Sequence, residues 1–155
     1  MRILGVDPGT MTVGYGVVDV AGSKLHAVEY GVIRARRTLD VAQRLAIIQT
    51  GIEEVIHRLQ PDVFAIEKVF AGKSFQSALR IGEGRGAALA AAAKAGLPVS
   101  NYTPAEVKKS VVGSGRAAKE QVGEMIRVIL GLDSVPSPLD ASDALAIAIC
   151  HANRI

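Results

Sequence analysis

Four carboxylates stand at positions that an α/β chain can bring together: Asp7, Glu67, Asp140 and Asp143. Their oxygens are hard ligands suited to Mg²⁺, with Mn²⁺ as a substitute, when phosphate oxygens and water complete a near-octahedral shell. Two such ions about 3.5–4 Å apart can activate a water on one side of a phosphodiester and stabilise the leaving alkoxide on the other. The chemistry this pattern points to is phosphodiester hydrolysis. Each acid also has an ordinary reading. Asp7 precedes Pro8-Gly9 and could shape a turn, Glu67 could pair with a surface lysine, and Asp140 could cap a helix. Asp143, set among Ala141, Ala144 and Leu145, fits such a reading least, because an unpaired charge on an apolar helix is costly to bury.

The remaining reactive residue types offer no second centre. His151 follows Asp143 by eight residues on one helix, a rise of about 12 Å that takes it out of reach of a small metal pair; it reads as a structural histidine. His26 and His57 have no ligand spacing, and the single cysteine, Cys150, can form neither an internal disulfide nor a cysteine zinc cluster. LGVDPGTMTVGYGVV has the look of a strand–turn–strand phosphate loop of two-lobed kinases, but the chain is too short for the second lobe. The glycines of Gly82-Glu83-Gly84-Arg85-Gly86 do not match a dinucleotide fingerprint and are expected to serve close helix packing. Lys108, Lys109, Arg116 and Lys119 surround a VVGSGR turn suited to DNA phosphates but lacking the Walker pattern. Phe70, just past Glu67, and Phe75 are candidates for stacking on an opened base or for packing. Tyr102 reads as a structural hydrogen-bonding residue.

These side chains need elements to hold them. Strands are predicted near 2–7, 13–20 and 25–33, with AGSK as the turn between the last two, so that Asp7 ends the first strand. Val41, Leu45, Ile48, Ile52, Val55 and Leu59 recur at helical spacing and predict a helix over 39–60 that stops at Pro61. VFAIEKV then reads as a short buried strand carrying Glu67 near its end. A helix over 75–95, a strand at 99–102, a short helix opened by Pro104, an interruption at Gly113-Ser114-Gly115 and a helix through Val122 and Ile129 follow. After Pro136 and Pro138 a terminal helix covers 139–153. On that helix a three-residue separation sets Asp140 and Asp143 about 60° apart, on one face. Strand ends in an α/β sheet deliver side chains to a shared rim, so the four acids can converge there. The expected architecture is α/β, with a mixed sheet flanked by helices.

The 155 residues suit one domain, 1–155, with no linker and no internal repeat. No apolar run approaches the roughly 20 residues of a membrane span, and the start shows no secretory pattern; the expected compartment is cytoplasmic, with no membrane partner. The net charge of +3 is too small to establish a nucleic-acid partner. Its distribution says more: residues 73–116 hold seven basic side chains against two acidic ones, a local excess that attracts a phosphate backbone.

Taken together, LGVDPGTMTVGYGVV, AIEKVF, SALRIGEGRGAAL, YTPAEVKKSVVGSGRAAKEQV and LDASDALAIAICHA resemble the RuvC family of crossover junction endodeoxyribonucleases, with motifs spanning Ile3 to Ala152. The resemblance implies a ribonuclease-H-like fold and a homodimer that resolves four-way Holliday junction DNA, in company with branch-migration proteins. It implies catalytic and metal-binding roles for Asp7, Glu67, Asp140 and Asp143, two Mg²⁺ per subunit, and DNA-contacting roles for Phe70, Lys108 and Lys119, with Arg116 on the same basic turn. The chain departs from many relatives in having Ser74 in place of Asn, with an added aromatic at Phe75, and from some in having Asp140 where they use His. Two other readings share parts of the pattern: a metal-dependent nuclease acting on RNA or DNA flaps, and a noncatalytic nucleic-acid-binding subunit.

Overall fold

The computed structural model describes residues 1–68 and 74–155. Strands β1 (Arg2–Asp7), β2 (Thr12–Ala21) and β3 (Lys24–Arg34) form an antiparallel meander. Helix α1 (Val41–Leu59) then crosses to β4 (Val63–Glu67), and α2 (Phe75–Lys94) crosses to β5 (Val99–Tyr102). Both strands pair in parallel, giving one mixed sheet of order β3-β2-β1-β4-β5. Three helices close the chain: α3 (Pro104–Val112), α4 (Lys119–Leu130) and α5 (Leu139–Ala152). The sheet and its flanking helices are those the sequence predicts, with ends shifted by a residue or two. The predicted VFAIEKV strand is shorter, ending at Glu67; its last residue lies outside the described residues.

Local chemistry sets the helix ends. Asp40 caps α1 by accepting the Gln43 backbone N–H at 2.8 Å, while the Gln43 side chain accepts the Asp40 N–H at 3.3 Å, the reciprocal arrangement that satisfies two otherwise orphaned donors. Thr103 caps α3 through the Glu106 N–H at 3.1 Å, and Pro104 occupies the first turn, where no N–H is missed. Gly113, at φ +80°, closes the same helix in the left-handed conformation that side chains resist. The predicted interruption is therefore a helix stop that sends the chain round to α4.

Strand alternation distributes the core. Leu4 and Val6 of β1, with Phe64 and Ile66 of β4, pack beneath Ile48 and Ile52 of α1 and Ala88 and Ala91 of α2. Ile3 and Ala65 face the other way, into Val107 of α3, Ile126 of α4 and Leu145 and Ile149 of α5. The result is three layers, with α1 and α2 on one face and α3, α4 and α5 on the other. The same period of two carries Asp7, after Ile3 and Gly5, and Glu67, after Val63 and Ala65, onto the α5 face at the strand ends.

Helix α5 lies on that face at backbone distance. A Cβ built on Gly5 would overlap the Ala144 carbonyl oxygen and stand 2.8 Å from the Ala148 nitrogen, and one on Gly14 would overlap the Asp140 carbonyl oxygen. Gly14 is the cross-strand partner of Asp7. The glycine that admits the start of α5 thus sits directly beside the acid that α5 must approach. Replacing Gly14 by Ala forces the helix backbone away, and overpacking of this kind costs about 1–3 kcal/mol. Gly51→Ala is the informative contrast, since its new Cβ meets only the Ile33 side chain, at 2.7 Å. Denaturant unfolding should show a loss for Gly14→Ala near the upper end of that range and a smaller change for Gly51→Ala; equal effects would show that α5 is not seated by this contact.

Candidate metal centre

The ends of β1 and β4 lie side by side, because Val6 and Ile66 are partners in the parallel ladder and each is followed by an acid. Asp140 occupies the first turn of α5, with Asp143 one turn on. Asp7, Asp140 and Asp143 each offer a carboxylate oxygen, and the three oxygens lie within 4.8 Å of one another. Glu67 stands next to Asp7 and hydrogen-bonds to its carboxyl. All four acids are half-buried. Asp140 is not the cap of α5: Pro138 holds that position, with no side-chain hydrogen bond.

Gathering these groups perturbs their protonation. Burial first, then the charges of Glu67, Asp143 and Asp140, push the Asp7 carboxyl up from an ordinary 3.8 to about 8. Burial also raises Asp143, with Lys119 pulling it back down, Asp140 pushing it up and Lys108 again lowering it. An all-carboxylate set whose protonation is raised by burial and by mutual repulsion is chemically matched to a hard divalent cation.

Asp7, Glu67 and Asp143 line a cavity of about 370 Å³. Lys108 from α3 and Lys119 from the start of α4 line it too, so the structure brings both predicted lysines to the carboxylates. Arg116 is exposed on the α3–α4 connection and is not part of the lining. Phe70 lies outside the described residues, and Phe75, at the start of α2, is 84% exposed and outside the core. His151 is buried, its Nδ1 2.7 Å from the Tyr102 hydroxyl, the structural role expected of both residues. Among the described residues, close packing holds for the middle glycine of its run: a Cβ on Gly84 would overlap the Gly9 carbonyl, whereas Gly82 and Gly86 meet no described atom within 4 Å.

One positioning residue escaped the sequence reading. Arg85 of α2 donates through Nε to the Glu67 carbonyl oxygen at 3.2 Å and through its terminal nitrogen to Asn101 of β5. It ties the end of β4 to its neighbour, holding the backbone that carries Glu67. Its place in a predicted helix and in the basic stretch was visible, but its carbonyl partner was not.

A cation-free stability change follows from the raised Asp7. The folded chain binds a proton that the unfolded chain releases near pH 3.8, so this stabilising contribution is complete below that pH and is lost as pH rises through about 8. Thermal unfolding without divalent cation should show a midpoint that falls between pH 5 and 8. Added Mg²⁺ should raise it more at pH 8 than at pH 5, where protons compete for the same oxygens. Asp7→Asn should flatten the first trend and diminish the second; an unchanged profile would remove Asp7 from the centre.

The model of the family described as crossover junction endodeoxyribonuclease RuvC matches residues 3–151. A crossover junction endodeoxyribonuclease RuvC of Moorella thermoacetica is 50% identical over 153 residues, covering 99% of this chain and 92% of the relative. One from Dehalococcoides mccartyi is 50% identical over 151 residues, covering 97% and 90%. Among solved structures, Thermus thermophilus RuvC in complex with Holliday junction substrate superimposes with a TM-score of 0.93 at 39% identity, covering 99% of this chain and 94% of that one.

Proposed function

This chain belongs to the RuvC family of crossover junction endodeoxyribonucleases, and from that membership we infer a metal-dependent endonuclease that resolves four-way Holliday junctions on a ribonuclease-H-like fold. The single observation that carries the chemistry is the meeting of Asp7, Asp140 and Asp143, with Glu67 alongside, in one half-buried cluster. The whole chain, 1–155, acts as one catalytic domain.

Asp7, Glu67, Asp140 and Asp143 would hold Mg²⁺, two ions per subunit, with Mn²⁺ able to substitute. When bound, the ions supply Lewis-acid polarisation of the phosphate and ease the deprotonation of the attacking water. The chain's own residues do the rest. The carboxylates are fixed before substrate arrives, two by strand ends and two by a helix seated on the same sheet, so little reorganisation remains. Lys108 and Lys119 attract the phosphate and orient it toward the acids, and Arg116 meets the backbone farther out on its exposed loop. Phe70 is assigned a stacking role at the opened crossover. Water adds to phosphorus as the bond to the 3′ oxygen breaks; the 3′ oxygen takes up a proton, leaving a 5′ phosphate and a 3′ hydroxyl.

Resolution needs two incisions related by symmetry, and one chain carries one cluster, so the active species is a homodimer. An outward stripe of α2 supports this assembly. Phe75 is 84% and Leu79 54% exposed, and Gly82 and Gly86, which continue the same helical face, have nothing within 4 Å of where a Cβ would stand. Two large apolar side chains followed by two positions without side chains suit close approach of a second helix. No helix among the described residues is long and apolar enough to cross a membrane. The single cysteine and the lack of a secretory pattern favour the cytoplasm, and the family resemblance adds branch-migration proteins as further partners.

Two measurements test this reading. Asp7→Asn, Glu67→Gln, Asp140→Asn and Asp143→Asn should each retain folding and junction binding while Mg²⁺-supported incision falls by more than about 100-fold, since metal-ion charge stabilisation is worth several kcal/mol. The assay compares a synthetic four-way junction with linear duplex and a flap; equal cutting of all three by the parent protein would favour the simpler nuclease. Separately, Leu79→Asp should shift the protein to monomer in sedimentation and convert paired cuts into single nicks. An unaltered dimer would place the interface elsewhere.

A further inference from the structure

One strongly charged segment stands outside the cavity already described: Arg34-Ala35-Arg36-Arg37, where β3 ends and the chain turns toward α1. All three arginines are exposed, while Ala35 between them is buried. Their guanidinium groups make no hydrogen bond or ion pair with any described residue, whereas Arg2 is held by Asp19, Arg58 by Glu29 and Arg127 by Glu124. Three uncompensated like charges within four residues repel one another until an anion meets them. The turn that carries them is nonetheless fixed. The Ala35 N–H donates to the Met11 carbonyl at 2.8 Å and the Leu39 N–H to the Arg36 carbonyl at 3.2 Å, and Arg44 of α1 donates to the Leu39 carbonyl at 2.6 Å. Met11 belongs to the loop that follows Asp7, so the arginine turn is bonded directly to the connection leaving the metal centre.

Register places this turn on the rim that carries the acids. Asp7 pairs across the ladder with Gly14, and Gly14 with Val32. Arg34, the partner of Thr12, comes two residues after Val32 and so keeps the same face of the sheet. Two strand spacings and two residues of rise put its Cα about 12 Å from that of Asp7, or roughly three to four base steps of a duplex. Lys108 belongs to α3, which follows β5 at the opposite edge of the sheet. Cations thus flank the acids toward both edges, and a strand with a phosphate at the acids that runs toward Lys108 in one direction passes over the end of β3 in the other.

We propose that Arg34, Arg36 and Arg37 are a second phosphate-binding surface, which grips the backbone of the junction arm leading away from the cut on the β3 side. The inference rests on the nuclease reading above and extends the bound DNA past the metal centre. Guanidinium groups match phosphate oxygens through paired N–H donors, and a turn already tied to the Met11 loop presents them in place. Contacts of this kind position a duplex without reading its sequence. Anchors on both sides of the acids fix the scissile phosphate in two directions, which the lysines of one side cannot do.

Junction binding without divalent cation, measured over ionic strength, tests it. Arg34→Gln, Arg36→Gln and Arg37→Gln combined should weaken binding of a four-way junction by at least about 10-fold, and the slope of log affinity against log salt should fall by about 2 to 3, near one for each lost phosphate contact. Arg34→Lys, Arg36→Lys and Arg37→Lys combined should restore the slope. The rise in thermal midpoint on adding Mg²⁺ should be the same in parent and variants, which a general loss of structure would not allow. Junctions with a single phosphate replaced by an uncharged methylphosphonate locate the contact. In the parent, replacement at one of the phosphates within about four steps of the cut should slow Mg²⁺-supported incision about 3- to 10-fold, the worth of one hydrogen bond, and the triple glutamine variant should be indifferent to it. An unchanged salt slope, or equal sensitivity of parent and variant to every methylphosphonate, would overturn the arginine surface and point to an acidic protein partner instead. A parent protein that bound junctions but cut none would overturn the nuclease reading and leave the arginine surface standing on its salt slope.

Discussion

Backbone contact between α5 and the sheet is the constraint on which the rest of this structure depends. Gly5 on β1 and Gly14 on β2 omit the side chains that would hold the helix away, and the Asp140 carbonyl rests where a Gly14 side chain would begin. Because Gly14 pairs across the ladder with Asp7, the closest helix–sheet approach and the first acid share one location. A layer spacing set by ordinary side chains would leave the acids of α5 farther from the strand ends. The apolar length of α5, from Leu145 to Cys150, is buried throughout and keeps the helix from rolling, so the angular positions of Asp140 and Asp143 are fixed as well as their height.

That placement works against stability in the absence of a cation. Four half-buried acids repel one another, and the raised protonation of Asp7 and Asp143 registers the repulsion together with the loss of solvent. The site persists because its supports lie elsewhere: β1 and β4 are held by apolar contacts on both faces of the sheet, and Arg85 ties down the Glu67 backbone. Local destabilisation carried by a well-packed scaffold is the usual arrangement where charge must be concentrated for binding or chemistry. Lys108 and Lys119 come from α3 and α4, outside the sheet. They temper the negative potential at Asp143 without entering the triad of aspartate oxygens.

Two faces of the molecule therefore have different physical character. The α3–α5 side combines carboxylates and lysines around one cavity, a mixture suited to a polyanion. Helix α2 has its buried alanines turned to the core and its N-terminal half turned outward, with Phe75 exposed where most aromatic rings would be covered.

Much of this was legible in the sequence because it depends on local pattern. Period-two runs marked the strands, recurrence of Ile48, Ile52 and Val55 marked α1, Gly113 marked the end of α3, and the three-residue spacing of Asp140 and Asp143 put them on one helix face whatever that helix packs against. The motif set also pointed to the family that the comparisons identify. What the sequence could not determine are relations between residues distant along the chain. Gly14 reads as a strand glycine until the Asp140 backbone is found against it. Gly82, Gly84 and Gly86 look alike in sequence, yet only Gly84 meets another backbone. Arg85 is one basic residue among seven in its region until its donors are seen on Glu67 and Asn101. Periodicity fixes which way a side chain points from its own element; the distance and chemistry of what it meets are set by how the layers close, and only the tertiary structure decides that.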